Sequence, residues 1–392
     1  CTFSLICHLL SALAMPTTLT CTILAFAFPL LLSLLIPPFF LSTSPPYNSN
    51  HLLLPAGASG PESIVFDPLD GQLYTGVSDG RVLKWNSTKL TWNNFAVTSP
   101  ARDRCDVDMD ELLAGRERNF EDTEHICGRP LGLRFNRSGS ELYIADPNFG
   151  LMKVGRDGGL ASSILTHVNG APLTFTNSLD IDHSNDVVYF THSSSTYNRR
   201  DHTMAILTGD STGRLIKYDL RNNEVQVLAD NLGMANGVEL SADGTFLLVA
   251  ETLRCRVLRY WIKTERTGKL EVFADLPGFP DNVKKSPRGG YWIAIHSMKG
   301  RLVEFVLRYP SIGNAIARHC LRRRGLQSLL VKLKRKGMLI RLDESGAVIE
   351  TVEGGKLGRG WNSISEGVEW NSELLVGSIN MPFVGKFKLK KL

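Results

Sequence analysis

Downstream of residue 60 the chain repeats one hydrophobic and polar pattern six times: a small or polar residue, a strand-like apolar stretch, a turn bearing Gly or Asn, an apolar run, a gap and a third apolar stretch. The copies read GPESIVFDPLDGQLYTGVSDGRVLKW from Gly60, GRPLGLRFNRSGSELYIADPNFGLMKVG from Gly128, and TNSLDIDHSNDVVYFTHSSS from Thr176 followed by GRLIKYD from Gly213. They continue as ANGVELSADGTFLLVAETLRCRVLRYW from Ala235, PDNVKKSPRGGYWIAIHSMKGRLVEFVL from Pro280 and SEGVEWNSELLVGSINMPFVGKFKL from Ser365. Consecutive cores from the third copy to the fifth lie 59 and 45 residues apart, near the ~40–50 of known propeller repeats. Each unit predicts three or four short antiparallel strands, and six units closed radially leave no long free edge. The pattern predicts an all-β, six-bladed β-propeller over residues 58–392.

Residues 1–57 read differently. No Lys or Arg precedes Arg81, no acid precedes Glu62, and Thr22–Ile36 is an uncharged run, TILAFAFPLLLSLLI. Such a segment is a secretory signal peptide or a retained membrane anchor. Met15 places the run where the apolar region of a signal peptide belongs, while Pro29 interrupts it and no basic residue precedes it. Pro37, Pro38, Pro45 and Pro46 then predict an extended linker. The expected localisation is the secretory pathway: vacuole, endoplasmic reticulum or outside the cell.

Composition sharpens this picture. A hydrophobic content of 43% with 21% charged residues excludes disorder along the whole chain, and 35 Gly suit a turn-rich β protein better than a helical bundle. The charge of +5, from 44 Lys and Arg against 39 Asp and Glu, is too slight and too scattered to call for a nucleic-acid partner. Of seven cysteines, Cys105, Cys127, Cys255 and Cys320 fall in the repeated part, and an oxidising lumen permits one or two disulfides among them. Cys105 and Cys127 bracket a 22-residue loop rich in Asp and Glu, whose closure would contribute about 3 kcal/mol. Cys255, within the strand-like VAETLRCRVLRYW, reads as a free buried thiol. The sequons at Asn86 and Asn136 are candidate glycosylation sites.

A propeller points the first strand of each blade at its central channel. At the equivalent repeat position stand Glu62, Leu131, Asn177, Asn236, Asp281 with Asn282 beside it, and Glu366. Five of the six carry oxygen where a sheet position is normally apolar. Converging carboxylate and amide oxygens suit Ca²⁺, which takes six to eight oxygen ligands, and the absence of His and Cys argues against zinc. The plainer alternative is that these Asn and Asp residues cap strand ends and turns.

PESIVFDPLDGQLYTGVSDGRVLKW, CGRPLGLRF, LYIADPNFGLMKV, GRLIKYD, ANGVELSADG, VAET and LPGFPDNVKKSPRGGYWIAIHS resemble the strictosidine synthase-like proteins, including the adipocyte plasma membrane-associated type, over about residues 58–390. The resemblance implies a six-bladed propeller and a disulfide between Cys127 and Cys105. More distantly the chain is similar to paraoxonases and gluconolactonases, which implies a central Ca²⁺ held by Glu62, Asn177, Asn236, Asp281 and Asn282, and hydrolysis of lactones or esters. True strictosidine synthases condense tryptamine with secologanin through a channel Glu of the sixth blade. Here Ser365 holds that position and Glu366 follows it. Because strand neighbours point to opposite faces, Glu366 is expected to aim elsewhere. The family's Tyr-Phe-Thr-Asp pattern has His192 in place of Asp.

Paraoxonase-type lactonases activate water with a His pair near the metal, yet His125, His192, His202 and His296 form no evident pair. His296 in YWIAIHS follows an apolar strand and could reach the channel mouth or be an ordinary rim histidine, and His192 has the same two readings. Glu366 and His296 are therefore the candidate catalytic residues. Between Asp281 and Glu366 lies an 85-residue gap in which Arg318–Lys336 is basic and free of acids and aromatics. LQSLLVKLK there has helical spacing and predicts a basic helical insertion that is a solvated rim helix, caps the channel or touches an anionic membrane. Two functional classes follow: a metal-dependent hydrolase of small-molecule esters or lactones, and a non-catalytic propeller with a structural metal. Synthase-type condensation is a third reading, weakened by Ser365. The expected partners are a small-molecule substrate, no nucleic acid, and a membrane through the N-terminal segment, on a monomer or weak homo-oligomer.

Overall fold

A computed structural model describes residues 51–106, 120–319, 337–354, 361 and 363–389. The signal or anchor run Thr22–Ile36, Met15 and the proline linker lie outside the described residues, as do Cys320 and LQSLLVKLK.

Six antiparallel sheets of four strands each surround one axis, the first carrying a fifth strand at its outer edge. Each begins with the strand nearest the axis and winds outward, as the repeat predicted. The inner strands are Ile64–Phe66, Gly132–Phe135, Thr176–Asp182, Ala235–Leu240, Gly278–Lys285 and Ile364–Trp370, in blades 1 to 6. Buried aliphatic and aromatic side chains fill the wedges between neighbouring blades. Leu133, Ile144 and Tyr74 join blades 1 and 2, and Tyr291, Ile293 and Leu248 join blades 4 and 5.

Closure comes from the N-terminus. His51–Leu53 is the outermost strand of blade 6 and pairs antiparallel with Phe383–Lys388, His51 opposite Gly385. The boundary read between residues 57 and 58 therefore moves: residues 51–57, assigned to the leader and linker, belong to the propeller. Their strand is three residues long and carries no repeat signal, and only its pairing with the last strand reveals it.

Because the blades are meanders, the turns alternate between the two ends of the barrel. One end carries the short hairpins, including those at Asn86 and Asn136. The other carries every long insertion: the loop around the Cys105–Cys127 disulfide, the blade 3 excursion with the helix His202–Thr208, and the blade 5 excursion with helices Arg301–Arg308 and Pro310–His319. His202–Thr208 packs on Pro310–His319 so closely that a Cβ on Gly313 would lie 1.7 Å from the Leu207 carbonyl oxygen. Their described parts meet at this end of the channel, where Arg199 of the blade 3 excursion pairs with Glu124 beside the disulfide. The predicted disulfide is present, with Cα atoms 5.5 Å apart. Cys255 is free and buried as read, but it sits outside the strands, in the turn before Arg256–Trp261 at φ 50°. Burial pushes its thiol up to about 11.

Candidate functional site

The inner strands of blades 3 to 6 share a bulge at the level picked out by the repeat, whereas those of blades 1 and 2 pair without one. Thr176 to Leu179 spans His192 to Phe190, Ala235 to Val238 spans Glu251 to Val249, and Pro280 to Val283 spans Ile295 to Ile293. In blade 6, Ile364 and Glu366 face the adjacent Ser378 and Gly377. One extra residue in each of these four inner strands breaks the in-out alternation and re-aims side chains, the usual effect of a bulge. Hydroxyls, one from a second strand and one from an inner strand, hold the distortion. Thr191 Oγ1 accepts the Ser178 N–H at 3.1 Å and donates to the Asn236 carbonyl of the next blade at 2.6 Å, while Ser365 Oγ donates to the Glu62 carbonyl at 2.8 Å. Close approach is required between blades 4 and 5, where a Cβ on Gly237 would come within 2.6 Å of the Asn282 Cα.

At the capped end the bulges assemble a buried polar cluster from blades 1, 3, 4 and 5. Asn177 donates from Nδ2 to Ser193 Oγ at 2.9 Å, which leaves its Oδ1 buried without a partner. Asn236 hydrogen-bonds the Asp281 carboxyl, and its own Oδ1 is likewise buried and unpartnered. Burial, and then the nearby Glu62 carboxylate, raise the Asp281 carboxyl well above its ordinary range. His296 Nδ1 lies 4.0 Å from Asp281 Oδ2 and keeps some solvent exposure. Asn282 is buried beside Asp281 with its Nδ2 unpartnered.

Two guanidiniums enter the same cluster. Arg129 Nη2 donates to Glu62 Oε2 at 3.2 Å and to the Ile379 carbonyl at 2.7 Å. From the cap, Arg199 donates to Glu124 Oε2 at 2.7 Å, and Glu124 belongs to the short helix that ends at Cys127. Burial, then the Arg199 charge, lower the Arg129 pKa. Among the described residues no group of three or more His, Cys, Asp or Glu is placed to hold a metal. The donor set on offer is the mixed one: two carboxylates, Glu62 and Asp281, with the orphaned amide oxygens of Asn177 and Asn236. Orphaned buried acceptors beside mutually repelling carboxyls fit a hard, oxygen-seeking cation.

A second charged layer lies deeper. Arg134 donates to Asp180 at 2.8 Å and pairs with Glu239; Lys285 lies 3.4 Å from Glu239 and 3.9 Å from Asp180. Burial alone would raise Asp180, but Arg134 and Lys285 outweigh it and hold the carboxyl below its usual range. Glu366 joins this layer. Its Oε1 accepts from Lys284 and from the Ile64 N–H, each at 3.2 Å, and its Oε2 is buried and unpartnered. The expectation that Glu366 aims away from the channel is therefore corrected: the bulge at Ser365 turns the carboxyl inward. Burial raises its pKa, against Lys284 and Arg134.

His296 is thus brought to the cluster, and the other histidines are not. His192 is buried, and its Nε2 accepts the Thr174 N–H at 3.2 Å; His202 Nδ1 meets the Arg199 carbonyl, and His125 is exposed. Sequence reading missed Arg129, Arg199 and Glu124, which lie outside the repeat register. It also missed the deeper layer, which was in reach: three residues beyond Leu131, Asn177, Asn236 and Asp281 stand Arg134, Asp180, Glu239 and Lys284, so the count that found the first layer, moved on by three, finds the second.

Comparison with known proteins adds the following. The family model described as "Strictosidine synthase" matches residues 177–265, and that described as "Strictosidine synthase-like, N-terminal" matches residues 48–85. Protein STRICTOSIDINE SYNTHASE-LIKE 2 of Arabidopsis thaliana is 44% identical over 344 residues, 86% of this chain and 89% of the relative. An adipocyte plasma membrane-associated protein of Salmo salar is 34% identical, over 85% of this chain and 76% of the relative. Among solved structures, a gluconolactonase from Xanthomonas campestris superimposes with a TM-score of 0.56 at 13% identity, covering 87% of this chain and 88% of the other. A calcium-binding protein, regucalcin, from Agrobacterium tumefaciens gives 0.52 at 16%, covering 90% and 100%. At these identities the likeness is one of fold.

Proposed function

The chain belongs to the strictosidine synthase-like family, and on that premise we propose that it is a calcium-dependent hydrolase of small-molecule lactones or esters working in the secretory pathway. The observation that carries this reading is the pair of buried, unpartnered oxygens on Asn177 and Asn236, set beside Glu62 and Asp281 under the cap. These four side chains would hold the ion. Bound there, calcium supplies the polarisation of a substrate carbonyl oxygen. The protein's own groups do the rest. His296, next to Asp281 and partly exposed, is positioned to take a proton from water, and the insertions of blades 3 and 5 exclude bulk solvent from the cluster. The oxygen-rich donor set and the resemblance to a gluconolactonase fold and a calcium-binding fold support the choice of metal and reaction class. For the compartment, the support is the Cys105–Cys127 disulfide, which an oxidising lumen favours, and the uncharged run Thr22–Ile36. Among the described residues no helix is long and apolar enough to cross a membrane.

One observation favours a second reading, synthase-type condensation: Glu366 enters the channel after all. Its ion pair with Lys284 and its depth below the cluster count against a shuttling role. A screen of lactones and aryl esters, with calcium and with chelator, tests the first reading against the second. Hydrolysis that chelator abolishes and Asn236→Ala weakens is the expected result. Condensation of tryptamine with secologanin, lost in Glu366→Gln, would replace it.

A further inference from the structure

Glu62 already has a cation. Its Oε2 accepts from Arg129 within the same buried cluster that offers the orphaned amide oxygens, and both side chains of the pair are about 5% exposed. We propose that Arg129 is the protein's resident counter-ion for this site: it holds Glu62 when no metal is present, and calcium binds by displacing the guanidinium from the carboxylate. The inference rests on the calcium reading above and adds to it the group that regulates occupancy.

Three observations support it. The first is charge. The cluster contains three buried carboxyls, Glu62, Glu124 and Asp281, and two guanidiniums, of which Arg199 is committed to Glu124. Arg129 is the cation left to balance Glu62, and Asp281 remains the carboxyl without a guanidinium. The second is anchoring. The Arg129 N–H donates to Asp146 Oδ2 at 2.7 Å, Gly128 before it has φ +80°, and a Cβ on Gly128 would lie 2.0 Å from Thr98 Oγ1. With Cys127 in the disulfide, the backbone at 127–129 is fixed, so the arginine can leave Glu62 only by turning its side chain. The third is that Glu62 is not its sole acceptor. Nη2 also donates to the Ile379 carbonyl, and Nε is buried without a partner, so the guanidinium releases Glu62 and keeps a hydrogen bond. Arg199 nearby repels it, which lowers the cost of that release.

The consequence is an affinity reduced by the fraction of molecules in which Glu62 is free. Calcium binding is therefore weaker than the ligand set alone would give. Terbium luminescence and the calcium-induced rise in melting temperature, measured on the whole folded protein, read this without any substrate. Arg129→Gln is expected to bind calcium on the order of 10-fold or more tighter than wild type and to show a larger melting-temperature rise, although its metal-free form is less stable. Arg129→Lys, which keeps a charge but loses the planar fork, is expected to fall between the two and covers the case in which the glutamine variant does not fold. Equal affinities in wild type and both variants, with Asp281→Ala abolishing binding, would overturn the inference and leave the calcium site standing. Weaker binding in a folded Arg129→Gln would overturn it too. If neither wild type nor variants respond at millimolar calcium, the calcium reading itself falls.

Discussion

His192 Nε2 accepts a hydrogen bond from the Thr174 backbone N–H, and only the neutral ring can do so. Burial, and then the charge of Arg214, lower its pKa to about 4. The native state thus binds fewer protons than the unfolded state between pH 4 and the ordinary histidine value near 6.5. Stability due to this residue is complete above that window and is lost as the pH falls through it. Asp146 works in the opposite sense: burial raises its carboxyl to about 6, so its contribution to stability falls as the pH rises. The two are separated by difference. Wild type minus His192→Gln, followed by urea unfolding from pH 7 to pH 4, should lose on the order of 3 kcal/mol, and a flat difference curve would show the ring to be protonated without cost. At this scale, sequence reading placed polar atoms well. Asn177, Asn236, Asp281 and Glu62 stand at one level because repeat counting is insensitive to local geometry. It left His192 open, since nothing in VVYFTH distinguishes a ring facing the channel from one facing the Thr174 amide.

For the strands, the deciding feature is the shared bulge. Strict alternation, the assumption behind rejecting Glu366, holds only in a regular ladder, and the extra residue at Ser365 cancels it. The two hydrogen bonds of Thr191 are what keep the blade 3 bulge and the blade 4 bulge in register. Thr191→Val preserves shape and removes both, which strands the Ser178 N–H and the Asn236 carbonyl in a buried setting. The expected cost is on the order of 2–4 kcal/mol, seen as a lower urea midpoint with an unchanged slope. A cost below the error of the measurement would mean that the backbone alone enforces the bulge. Strand positions were legible from apolar runs and turn residues, whereas the bulges were not, because an inserted residue leaves no mark in a pattern already blurred by loops of unequal length.

At the level of the whole molecule, the sixth blade is complete, and the ring closed, only while the propeller's first strand pairs with its last. Deleting residues 51–54 removes the outer strand of blade 6 along with Leu54 from the core beneath it, and exposes the Phe383–Lys388 edge to pairing with other chains. A lower melting temperature and concentration-dependent oligomers in size-exclusion chromatography are expected; an unchanged monomer would show the closing strand to be dispensable. The blade count was readable because each blade is a local unit, and the closing strand was hidden because its partner lies at the other end of the chain. That same pairing sets a schedule. His51 is made roughly 330 residues before its partner Gly385, so the propeller's first strand waits about 20–70 s for it at typical synthesis rates. Throughout that interval the propeller is an open arc with one unmatched strand, and the time for which it most needs a chaperone is fixed by the length of chain between the two partners.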